Sequence, residues 1–140
     1  MDHTSQSRPP TWNAGGWFGA QLGGTVWLAI AAAFLAERSM TVAGIVLALF
    51  FVANGVGGVL WRHRSRMSLF SGMQVLLAAI WACSIAAIFA IDRADLWDTL
   101  SVGGRNNPSA LRTYVMVSVV VLTLELLFQL LQHKKSPAAP

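Results

Sequence analysis

The residue best suited to chemistry in this sequence is Glu125, which lies well inside an apolar segment running from Leu111 to Leu131. An ionisable side chain at membrane depth often marks the path of an ion or a proton. As a helix, this segment would be about 30 Å long, which matches the hydrocarbon core of a bilayer. One face of that helix collects the polar side chains Tyr114, Ser118, Glu125, Gln129 and Gln132. Because unpaired polar groups find no partner among acyl chains, this face is expected to contact protein.

Three amide side chains are predicted to lie at the same depth as Glu125, namely Gln21, Asn54 and Gln74. Counted from the cytoplasmic end of each predicted helix, all four residues lie roughly 6 to 10 Å below the membrane surface. Two interpretations stay open. In one, Glu125 binds or releases a proton or a cation at a site lined by these amides and Gln129. In the other, the polar cluster fixes only the register of the helices and their choice of partner.

Four apolar segments must position these side chains, and the sequence predicts them as transmembrane helices. The chain is 55% hydrophobic and only 11% charged, far from the balance of a soluble domain. We therefore predict an all-α membrane protein, a four-helix bundle with helices at about 17–36, 41–61, 69–91 and 109–131. One transmembrane domain would occupy residues 15–132, between flexible cytoplasmic tails at 1–14 and 133–140.

The loop at 92–107 is expected to hold a short interfacial helix. Asp92, Asp95 and Asp98 recur there every three residues, which is typical of an amphipathic turn with a solvated acidic side. A calcium site would need six to eight oxygen ligands, and the acidic spacing of a known calcium loop is absent. No metal site is therefore predicted.

The basic residues set the orientation of the predicted bundle. Arg62, Arg64 and Arg66 lie in one short loop, and short basic loops stay in the cytoplasm. Both termini are then cytoplasmic, and the expected location is the bacterial inner membrane. The same arginines are positioned to contact lipid head groups, at about 1 kcal/mol for each residue. Since topology explains the net charge of +4, we do not expect nucleic acid as a partner.

Small residues recur at helical spacing in the first three segments and predict close helix packing. The candidate packing residues are Gly15, Gly19, Gly23, Gly57, Gly58, Ala78, Ala82 and Ala86. In lipid, such rows let two helix backbones approach closely, because no larger side chain holds them apart. The pattern does not say whether the partner helix belongs to this chain or to another.

Enzymatic chemistry finds no candidate residues. The predicted helices hold no Ser/His or paired-Asp arrangement, and the histidines His3, His63 and His133 all lie in loops or tails. We therefore predict no catalytic residue and no cofactor. The leading hypothesis is a small, non-enzymatic inner-membrane protein that acts by self-association or as a partner subunit of another membrane protein. The alternative is a small proton- or cation-linked transporter or channel using Glu125, and binding of a lipid or sterol between helices remains a third class.

Overall fold

The computed structural model describes residues 12–100, 115–116, 118–120, 122–123 and 127. Three long helices account for most of this part of the chain: α1 (Ala14–Leu35), α2 (Met40–Arg62) and α3 (Leu69–Arg93). Two short 3-10 helices follow α2 and α3, at Arg64–Arg66 and Trp97–Leu100. No strand occurs among the described residues. The all-helical class and the first three predicted helices are thus confirmed.

Each long helix begins at a polar side chain that caps its first turn. Asn13 Oδ1 accepts hydrogen bonds from the backbone N–H groups of Gly15 at 2.9 Å and Gly16 at 3.4 Å. Ser39 and Ser68 do the same for α2 and α3. Such caps satisfy N–H groups that have no partner within the helix. The Asn13 cap explains why α1 begins three residues before the apolar run, at Ala14 rather than residue 17.

The first two helices form an antiparallel hairpin. The backbone N–H of Ser39 donates to the carbonyl of Leu35 at 2.8 Å, which closes the turn between them. The 3-10 helix Arg64–Arg66 then reverses the chain again, so α3 runs parallel to α1. The carboxyl ends of α1 and α3 therefore lie at the same end of the bundle.

A Schellman motif ends α3 and directs the chain back onto the bundle. The N–H of Leu96 donates to the carbonyl of Ile91, and that of Asp95 to the carbonyl of Asp92, both at 3.2 Å. Asp95 has a φ of 54°, the left-handed conformation that this motif requires and that glycine usually supplies. The following 3-10 helix buries Trp97 and Leu100, and it contacts α1.

This 3-10 helix, Trp97–Leu100, lies within the loop where the sequence predicts a short interfacial helix. The indole N–H of Trp97 donates to Asp92 Oδ1 at 3.1 Å and ties the element to the end of α3. Asp95 and Asp98 are exposed, as expected for the solvated side of such a turn. Its position at a membrane interface remains a prediction.

A few polar side chains are buried among the apolar core residues, and large apolar side chains cover much of the outside of the described bundle. The buried polar residues are Gln21, Thr25 and Ser84. The exposed side chains of α1 form an apolar stripe of Phe18, Leu22, Val26, Ile30 and Phe34. A continuous stripe of five large apolar side chains would be unusual on the surface of a monomer in water. All three long helices have the length and apolar composition needed to cross a membrane, so the fold is that of an integral membrane protein.

Two apolar clusters lie on either side of the buried polar groups of α1. One, near the basic loop, contains Trp17, Leu60, Leu76 and Ile80. The other, toward the opposite end, includes Leu28, Leu35, Val46 and Ile91. The polar side chains of α1 therefore lie in a layer between two apolar cores.

The described residues of the fourth predicted segment are helical and contact α3. The indole N–H of Trp81 donates to Thr123 Oγ1 at 2.7 Å, and that hydroxyl donates to the carbonyl of Val119 at 2.7 Å. Trp81 therefore packs against this segment. That the segment crosses the membrane stays a prediction.

Candidate functional site

The best-defined polar site joins α1 to α2 through three side chains, which we call the amide cluster: Gln21, Thr25 and Asn54. Gln21 Nε2 donates to both the backbone carbonyl and Oδ1 of Asn54, each at 2.9 Å. Asn54 Nδ2 donates to Thr25 Oγ1 at 3.0 Å and to the carbonyl of Phe50 at 2.8 Å. Thr25 Oγ1 in turn donates to the carbonyl of Gln21 at 2.9 Å. The bonds run in both directions between the helices.

Gly57 allows the amide cluster to form. A Cβ atom at this position would overlap the carboxamide of Gln21, so only glycine leaves room for that side chain. The carbonyl of Gly57 also accepts a hydrogen bond at 3.2 Å from the indole N–H of Trp17, one turn before Gln21. Gly57 is therefore a contact point between the two helices within this chain.

One acceptor of the cluster is left unsatisfied. Gln21 is only 4% exposed, and its Oε1 has no hydrogen-bond partner among the described residues. The amide cannot turn around to correct this, because its Nε2 already faces two acceptors on Asn54. An orphaned buried acceptor of this kind costs about 1–3 kcal/mol. The three side chains of the cluster thus leave one unsatisfied acceptor, and none of them is titratable.

The other residues predicted for the polar site do not belong to the amide cluster or lie outside the described residues. Gln74 is half-buried on α3, and the hydrogen bonds that link Gln21, Thr25 and Asn54 do not involve it. Glu125 and Gln129 lie outside the described residues. The structure thus brings Gln21 and Asn54 together, and it adds Thr25, which lies one turn after Gln21 on α1.

The predicted packing residues divide into one internal contact and several external ones. Gly57 is buried against Gln21, whereas Gly15, Gly19, Gly23 and Gly58 are exposed. A Cβ added at Gly19, Gly23 or Gly58 would meet nothing within 4 Å. These glycines therefore present bare backbone at the outside of the described bundle.

The alanine row of α3 behaves in the same way. Ala78, Ala82 and Ala86 are exposed, while the neighbouring positions Cys83 and Ala87 are buried. The sequence contains both rows as candidates for a close neighbour. Within this chain the row with Cys83 and Ala87 faces the core, and the row with Ala78, Ala82 and Ala86 faces outward.

The basic loop lies beside a cluster of aromatic rings. Trp12, Trp17 and Trp61 contact one another with centroid distances of 4.9 to 6.3 Å, and Phe18 packs against Trp61. The guanidinium of Arg64 lies 4.7 Å above the ring of Trp61, and its Nη1 donates to the Trp61 carbonyl at 3.0 Å. Arg62, Arg64 and Arg66 are all exposed. Tryptophans beside cationic residues are typical of a membrane surface.

An apolar cavity of about 430 Å³ lies on the opposite side of α1 from the amide cluster. It is bounded by α1, α3, the 3-10 helix Trp97–Leu100 and the described residues 115–122. Its lining is Gly23, Gly24, Trp27, Ile30, Ala31, Phe34, Ser84, Trp97, Leu100, Val115, Ser118, Val119 and Leu122. Sequence reasoning did not find it, because no motif marks an apolar space between helices.

No group of three or more histidine, cysteine, aspartate or glutamate side chains is positioned to hold a metal ion within the described residues. Asp92 accepts from Trp97, and Asp98 Oδ1 accepts from its neighbour Thr99 at 3.4 Å. In this part of the chain the acidic turn therefore serves to hold its own helix ends.

The fold and these sites define a class, a small helical integral membrane protein with a buried amide cluster. Comparison with protein-family models, with curated proteins and with solved structures found no match.

Proposed function

We propose that this protein is a non-enzymatic membrane protein that acts by assembling with a second copy or with another membrane protein through the outer face of α1. The observation that carries the proposal is the bare backbone at Gly19 and Gly23. Both are exposed, and neither has an atom within 4 Å of the place where a Cβ would stand. Helices in lipid associate through such small-residue faces, because close backbone approach gains van der Waals contact.

A second outward face supports assembly. Ala78, Ala82 and Ala86 are exposed on α3 although the adjacent alanine row is used inside the bundle. Two small-residue faces on one chain provide two surfaces for neighbouring helices. Larger assemblies than a pair are then accessible.

The amide cluster favours a structural role for the polar layer. All its donors on Gln21, Thr25 and Asn54 are used in bonds within or between α1 and α2. The cluster therefore supports a defined register rather than a path for a solute. The alternative, a proton- or cation-linked transporter, depends on Glu125 and stays a prediction because that residue lies outside the described part of the chain.

In this proposal the protein resides in a bacterial inner membrane with both termini in the cytoplasm. The exposed arginines Arg62, Arg64 and Arg66 then contact anionic head groups on the inner surface. The tryptophans beside them hold the loop at that depth. Membrane lipids are therefore partners as well as solvent.

The test is the effect of Gly19→Leu on assembly in liposomes. A Cβ at this position would meet no atom within 4 Å, so a leucine adds bulk to the outer face and the fold should be retained. We expect at least a tenfold loss of association, measured by energy transfer between labelled copies at increasing dilution in lipid. Gly44→Leu is the matched control, because Gly44 is also exposed and free of contacts but lies on α2.

A hetero-assembly would be recognised by placing a photo-crosslinking amino acid at position 19, and at position 44 as control, in native membranes. An adduct of twice the mass of the chain identifies self-association, and a specific adduct of another mass identifies a partner subunit. A wild-type protein that gives no adduct from position 19 and shows no association at any protein-to-lipid ratio would overturn the proposal. Equal effects of Gly19→Leu and Gly44→Leu would do the same.

A further inference from the structure

The cavity between α1, α3 and residues 115–122 lies in a part of the bundle that would be surrounded by hydrocarbon. Its lining includes Gly23 to Phe34 on α1 and Ser84 on α3, all within helices long and apolar enough to span a membrane. At about 430 Å³ it falls in the range of roughly 300–1,000 Å³ that holds small-molecule ligands. The space opens to the outside of the described bundle, so molecules of the surrounding membrane can enter it.

Water is a poor occupant. A buried water usually makes about three hydrogen bonds, whereas most residues lining the cavity are apolar and its hydroxyl groups come from Ser84 and Ser118. An apolar ligand would fit this mostly apolar lining better than water.

We propose that this cavity binds one acyl chain of a membrane phospholipid. Trp27, Phe34 and Trp97 supply broad apolar surfaces, and the absence of side chains at Gly23 and Gly24 makes room beside α1. Acyl chains are the molecules available in the surrounding bilayer at this depth. Gly23 belongs both to this lining and to the outer face of α1 proposed for assembly, whereas Gly19 belongs only to that face and separates the two proposals.

The charges at this end of the bundle indicate that the chain, and not the head group, is recognised. Among the described residues here, the acids Glu37, Asp92, Asp95 and Asp98 outnumber the bases Arg38 and Arg93. An anionic head group gains nothing from such a surface. A lipid with an anionic head group should therefore be retained no better than a zwitterionic lipid with the same acyl chains.

The experiment uses the purified protein in detergent micelles, titrated with dioleoylphosphatidylcholine or dioleoylphosphatidylglycerol. Native mass spectrometry counts the lipids retained by each chain. We expect one retained lipid, with the two head groups differing by less than about twofold, because the site recognises hydrocarbon. Preferential retention of phosphatidylglycerol by tenfold or more would indicate a head-group site and overturn the proposal.

Gly23→Leu fills the cavity, since a Cβ at Gly23 meets no atom within 4 Å and the residue lines this space. We expect it to lower lipid retention at least fivefold. Gly19→Leu and Gly44→Leu are controls that do not line the cavity and should retain the lipid. If Gly19→Leu lost both assembly and the bound lipid, the lipid would lie between two copies of the protein. That result would overturn the proposal.

A second measurement on the wild type does not depend on any variant. Phosphatidylcholine carrying a diazirine in the middle of one acyl chain is bound in micelles, illuminated, and located by peptide mapping. Adducts concentrated on residues 23–34 and 97–100 are expected. Labelling no stronger there than on the exposed α2 side chains Phe51, Val52 and Val59, or crosslinks joining two copies at the cavity, would overturn the assignment.

Discussion

On one side, α1 meets α2 through hydrogen bonds that run in both directions between Gln21, Thr25 and Asn54. On the other side, α1 faces α3 and the residues at 115–122 across apolar side chains and a cavity of about 430 Å³. Gly24 faces Ile80 on that side, where an added Cβ would lie 3.1 Å from Ile80 Cδ1. A glycine lies at a close contact on each side of α1. Only Gly57, on the α2 side, makes room for a polar group, the carboxamide of Gln21.

The difference shows how a helix bundle obtains specificity inside a membrane. Apolar contacts between helices compete with equally apolar lipid, so they permit many arrangements. Amide groups have no partner in lipid, and they therefore favour the one register in which they meet each other. The α1–α2 side is the specific contact of the described bundle, and the α1–α3 side retains space for a ligand.

The largest effect is expected from Gly57→Ala. The new methyl group overlaps the Gln21 carboxamide, so the cluster must open or the helices must separate. We expect a loss of about 1–3 kcal/mol of stability, the usual range for overpacking. Detergent-denaturation monitored by circular dichroism measures it. Gly58→Ala is the control, since that exposed glycine meets nothing within 4 Å and alanine is the better helix former by up to about 1 kcal/mol. Equal behaviour of the two variants would refute the role given to Gly57.

A smaller effect is expected for the coupling between Thr25 and Asn54. Their hydrogen bond of 3.0 Å predicts that Thr25→Val and Asn54→Leu are non-additive, by about 0.6 kcal/mol and at most ~1.7. A double-mutant cycle on unfolding free energies isolates this term. Thr25→Val combined with Ser71→Ala is the control, because exposed Ser71 bonds to Ser68 at the start of α3 and the pair should be additive. If the control pair showed a coupling free energy as large as that of Thr25 and Asn54, the cycle would be reporting a general loss of packing and not their hydrogen bond.

A small effect is also expected on the apolar side of α1, from Gly24→Ala. The added Cβ would lie 3.1 Å from Cδ1 and 3.3 Å from Cγ2 of Ile80, contacts that a small movement of a flexible side chain can relieve. A loss below about 1 kcal/mol is expected, less than for the usual overpacked core. Adding Ile80→Val removes Cδ1 and should recover part of the loss. A cost equal to that of Gly57→Ala would show that both sides of α1 are equally rigid.

Helix positions could be predicted largely from the sequence, because each apolar run must be long enough to cross a bilayer and polar residues must end it. The predicted first residues of the helices were less accurate than the helix positions. Asn13 extends α1 beyond the apolar run by capping it, and a cap is a side-chain geometry that hydropathy does not measure. The placement of Gln21 and Asn54 in one layer followed from counting residues along antiparallel helices, and the structure joins them directly.

The inward face of a small-residue helix could not be predicted in this way. In α3, Ala78 and Ala82 face outward while Cys83 and Ala87 face the core. Both rows are small and apolar, so neither periodicity nor hydrophobicity distinguishes them. The choice depends on which large side chains of α1 and α2 must be accommodated.

The sequence by itself determined that this protein is helical and suited to a membrane, because bilayer thickness and the cost of unsatisfied backbone groups leave apolar stretches of this length few alternatives. It also determined which amides had to find partners. The tertiary structure alone decided which partner each amide found, which glycine received the Gln21 side chain and where a cavity remained. Those outcomes depend on the rotation and distance of one helix against another, which are set by the fit of many side chains at once.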